Sequence, residues 1–374
     1  GMQDYKIALG RAQHFVEVLN NLGNLYVELG QRQPALAYLT KAIELRKGMP
    51  IFCYNRAVAF EQFNDLESAI ADYTHAITIN DEFAGAYFNR GVVLGQIGET
   101  RRAIDDFSRV IALQSDNSAA YLNRGDAHMQ LGQLNLALRD FDEVIRLDPD
   151  MAQAYYNRAG TYSQLGEAQQ ALQDYNRAIE IGDLDLAYYN RGNIYMNRED
   201  YVRAIEDFSK AIEKNPLNTG ALNNRALCYM GVNEVDKAFA DFDRAIKSDP
   251  KSAIVYVCRG NAHLMLGNHT AAQREYNRAL ALSTDIPQAY FNRGQARAAL
   301  GNHTGAVRDF GHAIRLLPQD SQNYHRRAQS LYHLGQFEAA QRDVDQCQQM
   351  GGKVNAGLLK AVQSALQRSP RGGG

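Results

Sequence analysis

The chain has 374 residues, with 40 Lys plus Arg against 42 Asp plus Glu for a net charge of −2. That balance gives no basic field for nucleic acid or an anionic membrane surface, and no apolar run approaches the ~18 residues of a transmembrane helix. Cys53, Cys228, Cys258 and Cys347 lack metal-ligand spacing and read as packed thiols, which leaves neither a zinc centre nor a redox pair in view.

In chain order, Asp4 to Leu9 aligns with Asp174 to Ile179, the second helix of a later repeat. Residues 1–15 are therefore expected to form the second helix of a partial repeat or an N-terminal cap, and an uncapped Met2 to Ala12 helix would permit end-to-end self-association. Gly1 before Met2 reads as a tag scar, so the natural N-terminus is expected to have been removed; with no secretory signal, the expected location is cytoplasmic. From residue 16 to residue 354 one pattern recurs. An Arg followed by a small residue returns at Arg56-Ala57, Arg90-Gly91, Arg124-Gly125, Arg158-Ala159, Arg191-Gly192, Arg225-Ala226, Arg259-Gly260, Arg293-Gly294 and Arg327-Ala328, in steps of 34 residues with one of 33. Leu22-Gly23 holds the same register one period earlier, so ten repeats begin at Val16, Pro50, Ala84, Ser118, Ala152, Asp185, Thr219, Ala253, Pro287 and Ser321. Repeat positions are counted from these starts.

Within Ser118 to Met151, apolar or small residues fall at Tyr121, Gly125, His128 and Leu131, then at Ala137, Leu138, Phe141, Val144, Ile145 and Leu147. This i, i+3/i+4 spacing in two runs predicts two amphipathic helices, with Gly132 as a left-handed stop after the first and Asp148-Pro149 closing the second. Ala holds position 20 in every copy, from Ala35 and Ala69 to Ala306 and Ala340. Such constancy predicts close helix approach, with this Ala facing the small residue of the first helix. Between repeats five and six, Ile181 to Asp185 is one residue short and lacks Pro, and a change of stacking angle is expected there. Gly267 to Thr270 and Gly301 to Thr304 contain formal glycosylation sequons, but Thr270 and Thr304 sit where a helix N-cap is needed. Leu358, Leu359, Val362 and Leu366 then form one amphipathic face, so residues 355–374 are expected as a capping helix and flexible tail.

These positions resemble those of the tetratricopeptide repeat (TPR) family over about nine-tenths of the chain. Position 4 carries Tyr87, Tyr121, Tyr155, Tyr188, Tyr256, Tyr290 and Tyr324; position 24 carries an aromatic such as Tyr73, Phe107 or Phe141; position 32 carries Pro149, Pro216, Pro250 and Pro318. The resemblance implies an all-α, right-handed α-solenoid (superhelix) of about ten helix-turn-helix repeats with a terminal capping helix. It also implies a concave groove lined by the first helices, into which positions 2, 5, 6, 9, 12 and 13 point. Position 7 departs from the family's usual Leu, being Arg in repeats two to ten.

Position 23 is acidic in those same nine repeats, and repeat one lacks both residues, having Leu22 and Tyr38. Joint absence predicts that each Arg pairs with the acid of its own hairpin as a structural ladder.

Catalysis finds no constellation. The nine His form no HExxH or other close ligand pair, and neither a GxSxG nor a phosphate loop after a strand occurs, so no catalytic residue, metal or cofactor is expected. The unusual surface is the groove. Position 6 is Asn in seven consecutive repeats, Asn21, Asn55, Asn89, Asn123, Asn157, Asn190 and Asn224, and again at Asn292. An amide offers a donor and an acceptor together, so a row of them can pair with the backbone of an extended peptide; the row is similar to the asparagine ladder in the TPR region of O-linked N-acetylglucosamine transferases. Alternatively, these amides only stabilise the neighbouring helix. Tyr54, Phe88, Tyr156 and Tyr189 at position 5 add apolar pockets, and Gln96, Gln130 and Gln164 at position 13 add amides. Charges at groove positions are confined to Glu17, Glu28, Glu61, Asp126 and Arg326, too few cations for nucleic acid or for a carboxylate clamp. The expectation is a noncatalytic scaffold or adaptor that binds a protein or peptide segment in its groove. The alternative is the targeting or substrate-recognition region of a larger enzyme whose catalytic domain lies outside this chain.

Overall fold

The computed structural model describes residues 2–368, with side chains described from residue 15 onward. Among the described residues every regular element is an α-helix, and the chain divides into two compact units, Gly1–Asn190 and Arg191–Gly374. In the first unit, α1 (Met2–Glu28) pairs with α2 (Arg32–Leu45), α3 (Pro50–Gln62) with α4 (Leu66–Ile79), and α5 (Ala84–Gln96) with α6 (Thr100–Leu113). There α7 (Ser118–Gln130) also pairs with α8 (Leu134–Leu147), and α9 (Ala152–Gln164) with α10 (Ala168–Gly182). The unit boundary falls inside α11 (Asp185–Asn197), just after the shortened segment, where Asp183 takes a left-handed conformation at φ 48°.

The second unit continues with α12 (Tyr201–Lys214), then α13 (Thr219–Gly231) paired with α14 (Val235–Ser248), and α15 (Ala253–Met265) with α16 (His269–Leu282). It ends with α17 (Pro287–Ala299) paired with α18 (His303–Leu316), α19 (Ser321–His333) with α20 (Phe337–Gln349), and the single helix α21 (Ala356–Arg368). Within each unit the second helix of one hairpin packs on the first helix of the next, and successive first helices also touch, as α5 does α7 and α15 does α17. This nearest-neighbour stacking is that of an α-solenoid, in which no central core is needed.

One expected boundary is absent from the backbone. α1 runs unbroken from Met2 to Glu28, so the segment before Val16 continues into the first helix of repeat one and is not a separate second helix. Neither a proline nor a left-handed residue stands between Gly10 and Val16 to stop it. The side chains expected to mediate end-to-end contact, and residues 369–374 of the tail, lie outside the described residues.

Each hairpin turn has one cause. Position 15 has positive φ in all ten repeats, being Gly in seven, Asn64 and Asn233 in two, and Glu199 in one. The N–H that follows reaches back five residues, as Gln133 to the His128 carbonyl and Asn302 to the Arg297 carbonyl, closing a Schellman cap. The N-caps that open the second helices correct the expectation at Thr270 and Thr304. The N-cap residues are Asn268 and Asn302, and Asn302 accepts the Gly305 N–H at 2.9 Å; each Thr lies one residue inside its helix.

Packing adds a second neighbour to the small position 8, which in repeat one also meets the position-20 residue Ala35. Every position-20 Ala is fully buried, and the side chain nearest the small position 8 is that of position 24, a ring in repeats two to nine and Leu39 in repeat one. A Cβ built on Gly125 would lie 2.6 Å from the Phe141 ring, and one on Gly294 2.8 Å from that of Phe310. Where a ring stands at position 24, it fills the space that the small position 8 leaves between the two helices of the hairpin.

The Arg ladder closes as expected, with all nine guanidinium groups donating through Nε and Nη2 to the acid of their own hairpin, from Arg56–Asp72 to Arg327–Asp343. Burial can outweigh the attraction even here, since the Asp207 carboxyl is pushed above its ordinary value despite Arg191. The third nitrogen was not foreseen. Nη1 donates to position 25 of the preceding repeat, as from Arg90 to Thr74, Arg124 to Ser108 and Arg225 to Ser209, so the ladder joins repeats as well as hairpins.

Candidate binding face

The first helices place positions 5, 6 and 13 along one face of each unit. Position-5 rings lean on the position-24 ring of their own hairpin: Tyr54 on Tyr73 at 5.6 Å, Phe88 on Phe107 at 5.8 Å, and Tyr156 on Tyr175 at 6.0 Å between centroids. All three, and Tyr189, remain half-buried, so part of each ring is open. Gln96, Gln130 and Gln164 are exposed, and of these Gln130 accepts from the Thr100 hydroxyl at 3.4 Å.

The asparagines are oriented by bonds inside the protein. Asn55 Nδ2 donates to Asn20 Oδ1 at 2.9 Å, Asn89 Nδ2 to the Tyr54 and Tyr73 hydroxyls at 3.0 and 3.2 Å, and Asn190 Nδ2 to the Tyr156 hydroxyl at 3.1 Å. Each of these reaches the preceding repeat. Asn123 turns back to the Ala119 carbonyl of its own helix. For Asn55, Asn89, Asn123 and Asn190 the carbonyl Oδ1 accepts no hydrogen bond among the described residues. Asn157 and Asn224 differ, because both ends are occupied: Asn157 donates to Asp126 and accepts from Gln153, each at 2.6 Å, and Asn224 donates to Asn193 and accepts from Asn223. From Asn55 to Asn224 the asparagine series is thus four free acceptors and two closed links.

Among the carboxylates on this face, Glu61 and Asp126 lack a cationic partner among the described residues and are held by neutral donors. Glu61 accepts the Tyr73 hydroxyl at 2.8 Å, and this carboxylate pushes the Tyr73 phenol further up, after burial itself. Burial raises Asp126 from 3.8 to about 6, against the bond from Asn157. Burial likewise raises Tyr156, opposed by Asn190. Sequence reading noted both carboxylates as groove charges and missed the bonds that hold them. The signal available was Gln153 four residues before Asn157, a spacing at which helix side chains meet.

Among the described residues no group of three or more His, Cys, Asp or Glu could hold a metal ion, and no helix is long and apolar enough to cross a membrane. Models of the tetratricopeptide repeat family match residues 16–48, 51–83, 88–137, 122–185, 186–218, 219–252 and 259–321. No curated protein matches the sequence significantly. Among solved structures, a tetratricopeptide repeat protein from Parabacteroides merdae is 22% identical, with 66% of this chain and 98% of that one covered at a TM-score of 0.52. The C-terminal part of a TPR repeat-containing protein from Cytophaga hutchinsonii is 16% identical over 64% and 98%, at a TM-score of 0.51. MamA is 27% identical over 46% and 95%, at a TM-score of 0.42. The first two likenesses speak for the fold alone.

Proposed function

Because the chain belongs to the tetratricopeptide repeat family, whose members mediate protein and peptide interactions, we propose that it is a noncatalytic scaffold or adaptor that holds an extended peptide segment in a groove lined by its first helices. The observation that carries this reading is the row of unused carbonyl oxygens on Asn55, Asn89, Asn123 and Asn190. Each is aimed by a donor bond on the other side of the same amide, so an incoming backbone N–H meets a fixed acceptor at little entropic cost. The exposed amides of Gln96 and Gln164 can supply donors to the peptide carbonyls, and the open parts of Tyr54, Phe88, Tyr156 and Tyr189 take apolar side chains. With Glu61 and Asp126 beside the row, a segment carrying a basic residue is favoured over an acidic one.

The test begins with a peptide selected from a random display library against the intact chain. Replacing Asn55, Asn89 and Asn123 together by Ala removes contacts of ~0.5–1.5 kcal/mol each, so affinity should fall at least about tenfold with helicity intact. Unchanged affinity in that variant, or a footprint on the second helices, would sink the assignment.

A further inference from the structure

A second site lies further along the first-helix face, in repeats eight to ten, beyond the asparagine row. Position 12 is Met129, Met196, Met230 or Leu264 in repeats four and six to eight, and position 13 is Gln in repeats two to five, but repeat nine carries Ala298 and Ala299 there. The two short side chains leave space on the first-helix face, and α21 covers it. α21 is fixed in place by Val362, which is fully buried against Leu331 and Ala340, and Asn355 caps its first turn through the Gly357 N–H at 2.8 Å. Leu358 and Ala361 of that helix form one wall of a half-open cavity of about 610 Å³ whose other walls include Leu264, Ala298, Phe310 and Tyr332. That volume lies in the ~300–1,000 Å³ range of small-ligand sites.

Among its polar groups, one is cationic and one is a buried hydroxyl. Arg326 interrupts the asparagine series at position 6 and is the cation in the wall. Its guanidinium donates to Gln329 Oε1 at 3.2 Å and meets no carboxylate among the described residues. Ser330 follows one helical turn later on the same side of α19; it lines the cavity, is only 1% exposed, and its hydroxyl makes no hydrogen bond among the described residues. A buried hydroxyl without a partner is costly, and one turned into a cavity marks where a ligand oxygen can sit. His303, also in the wall, is stacked on His333 at 4.4 Å, and burial first and His333 second hold its imidazole below the ordinary value.

We propose that this cavity binds an apolar carboxylate, with its apolar body against Leu264, Ala298, Phe310 and Leu358 and its carboxylate on the Arg326 guanidinium and the Ser330 hydroxyl. A free aliphatic acid and the C-terminal residue of another chain share this chemistry. None of the asparagines, rings or glutamines assigned to the peptide row lines this cavity, so the two sites stand or fall separately.

Calorimetric titration of the full chain with octanoate, and with an acetylated tetrapeptide ending in leucine, tests it against octanamide and the C-terminally amidated peptide. The acids should bind at least about tenfold more tightly than their amides, and whichever acid binds more tightly identifies the source. Arg326→Gln should abolish the acid preference while circular dichroism stays unchanged, since the side chain is exposed and holds only Gln329. Ala298→Met, which installs the residue that repeats four, six and seven carry at position 12, should fill the space and weaken acid and amide alike. Equal binding of acid and amide to the parent chain, full acid preference in Arg326→Gln, or undiminished binding in Ala298→Met would each overturn the proposal. The Asn55, Asn89 and Asn123 triple variant should bind the acids as the parent does.

Discussion

Repeats four and five and repeats eight and nine build the same three-residue chain from the same positions, and the two differ in one atom. In the first, Gln153 donates to Asn157, which donates to Asp126 at 2.6 Å. In the second, Gln288 donates to Asn292 at 2.9 Å, which donates to Asn261 at 2.7 Å. The amide at Asn261 takes a further bond from the Tyr276 hydroxyl at 2.8 Å, whereas in the first chain the corresponding ring, Phe141, has no hydroxyl to give. A neutral end is therefore doubly supported, and a charged end is held by one donor in a desolvated place. The scaffold is constant, and exchange of a single end residue converts a structural link into an electrostatic feature of the surface.

The rungs beneath these chains differ too, and replacing them should have the largest effect. Arg124 grips Asp140 with two nitrogens on two oxygens, at 2.9 and 2.7 Å, while Arg259 sends both nitrogens to one oxygen of Glu275, at 3.2 and 2.7 Å. Either Arg→Leu change strands a buried acid and should cost ~3–5 kcal/mol in chemical denaturation. Arg→Lys separates the two. A point charge reproduces a one-oxygen contact better than a fork on two, so Arg259→Lys should retain more stability than Arg124→Lys by about 1 kcal/mol. Equal losses would show that the geometry of the acid is immaterial and the rungs are interchangeable.

A smaller effect is expected at the carboxylate itself. The Asp126 carboxyl is raised in the folded state, so between its unfolded value of 3.8 and about 6 the folded chain holds the proton more firmly. Stability from this group is thus present at low pH and lost as pH rises through that window, at most about 3 kcal/mol by pH 7. Asp126→Asn, which copies the amide end of the second chain, keeps an acceptor for Asn157 and removes the charge. It should raise the midpoint of thermal unfolding at pH 7 and flatten its dependence between about pH 4 and 6. Asn261→Asp is the reciprocal test: two donors face that site, so its carboxyl, followed by NMR titration, should rise less than that of Asp126. If Asp126→Asn kept the parent's pH profile, the carboxylate would have to be better solvated than its burial implies.

How much of this was legible in the sequence follows from which contacts repeat. The in-hairpin Arg pairing was legible because the same two residue types recur nine times and vanish together in repeat one. The bond from Nη1 to the preceding repeat was not, because its acceptor changes among Thr74, Ser108, Asp142, Ser209 and Asn277, so no single letter recurs. The asparagine run was visible, but an amide letter does not say which end is used; that is set by whether the preceding repeat presents Tyr54, Asn20 or Asp126. The cavity near Arg326 was illegible for a different reason: two alanines mean space only once α21 is laid over them.

The smallest effect lies between the two regions, at the turn of repeat six. Repeats four, five, eight and nine all close their first helix on glycine, at Gly132, Gly166, Gly267 and Gly301, whereas repeat six uses Glu199 at φ 59°. The hydrogen bonds do not require the exchange, since Asp200 N–H still reaches the Tyr195 carbonyl at 2.9 Å. The glutamate side chain is exposed and has no role in the cap, so it contributes only its Cβ to a conformation that an L-residue adopts at a cost of ~1–2 kcal/mol. Glu199→Gly removes that strain but also gives the unfolded chain more freedom, worth ~0.4–1 kcal/mol in the opposite sense. The net gain should be about 0.5–1 kcal/mol, read as slower hydrogen exchange at the Asp200 amide. Glu199→Ala keeps the Cβ and should bring no gain, which separates relief of backbone strain from loss of the charge; equal protection in the two variants would mean that this turn carries no strain and that glycine elsewhere at position 15 reflects something other than φ.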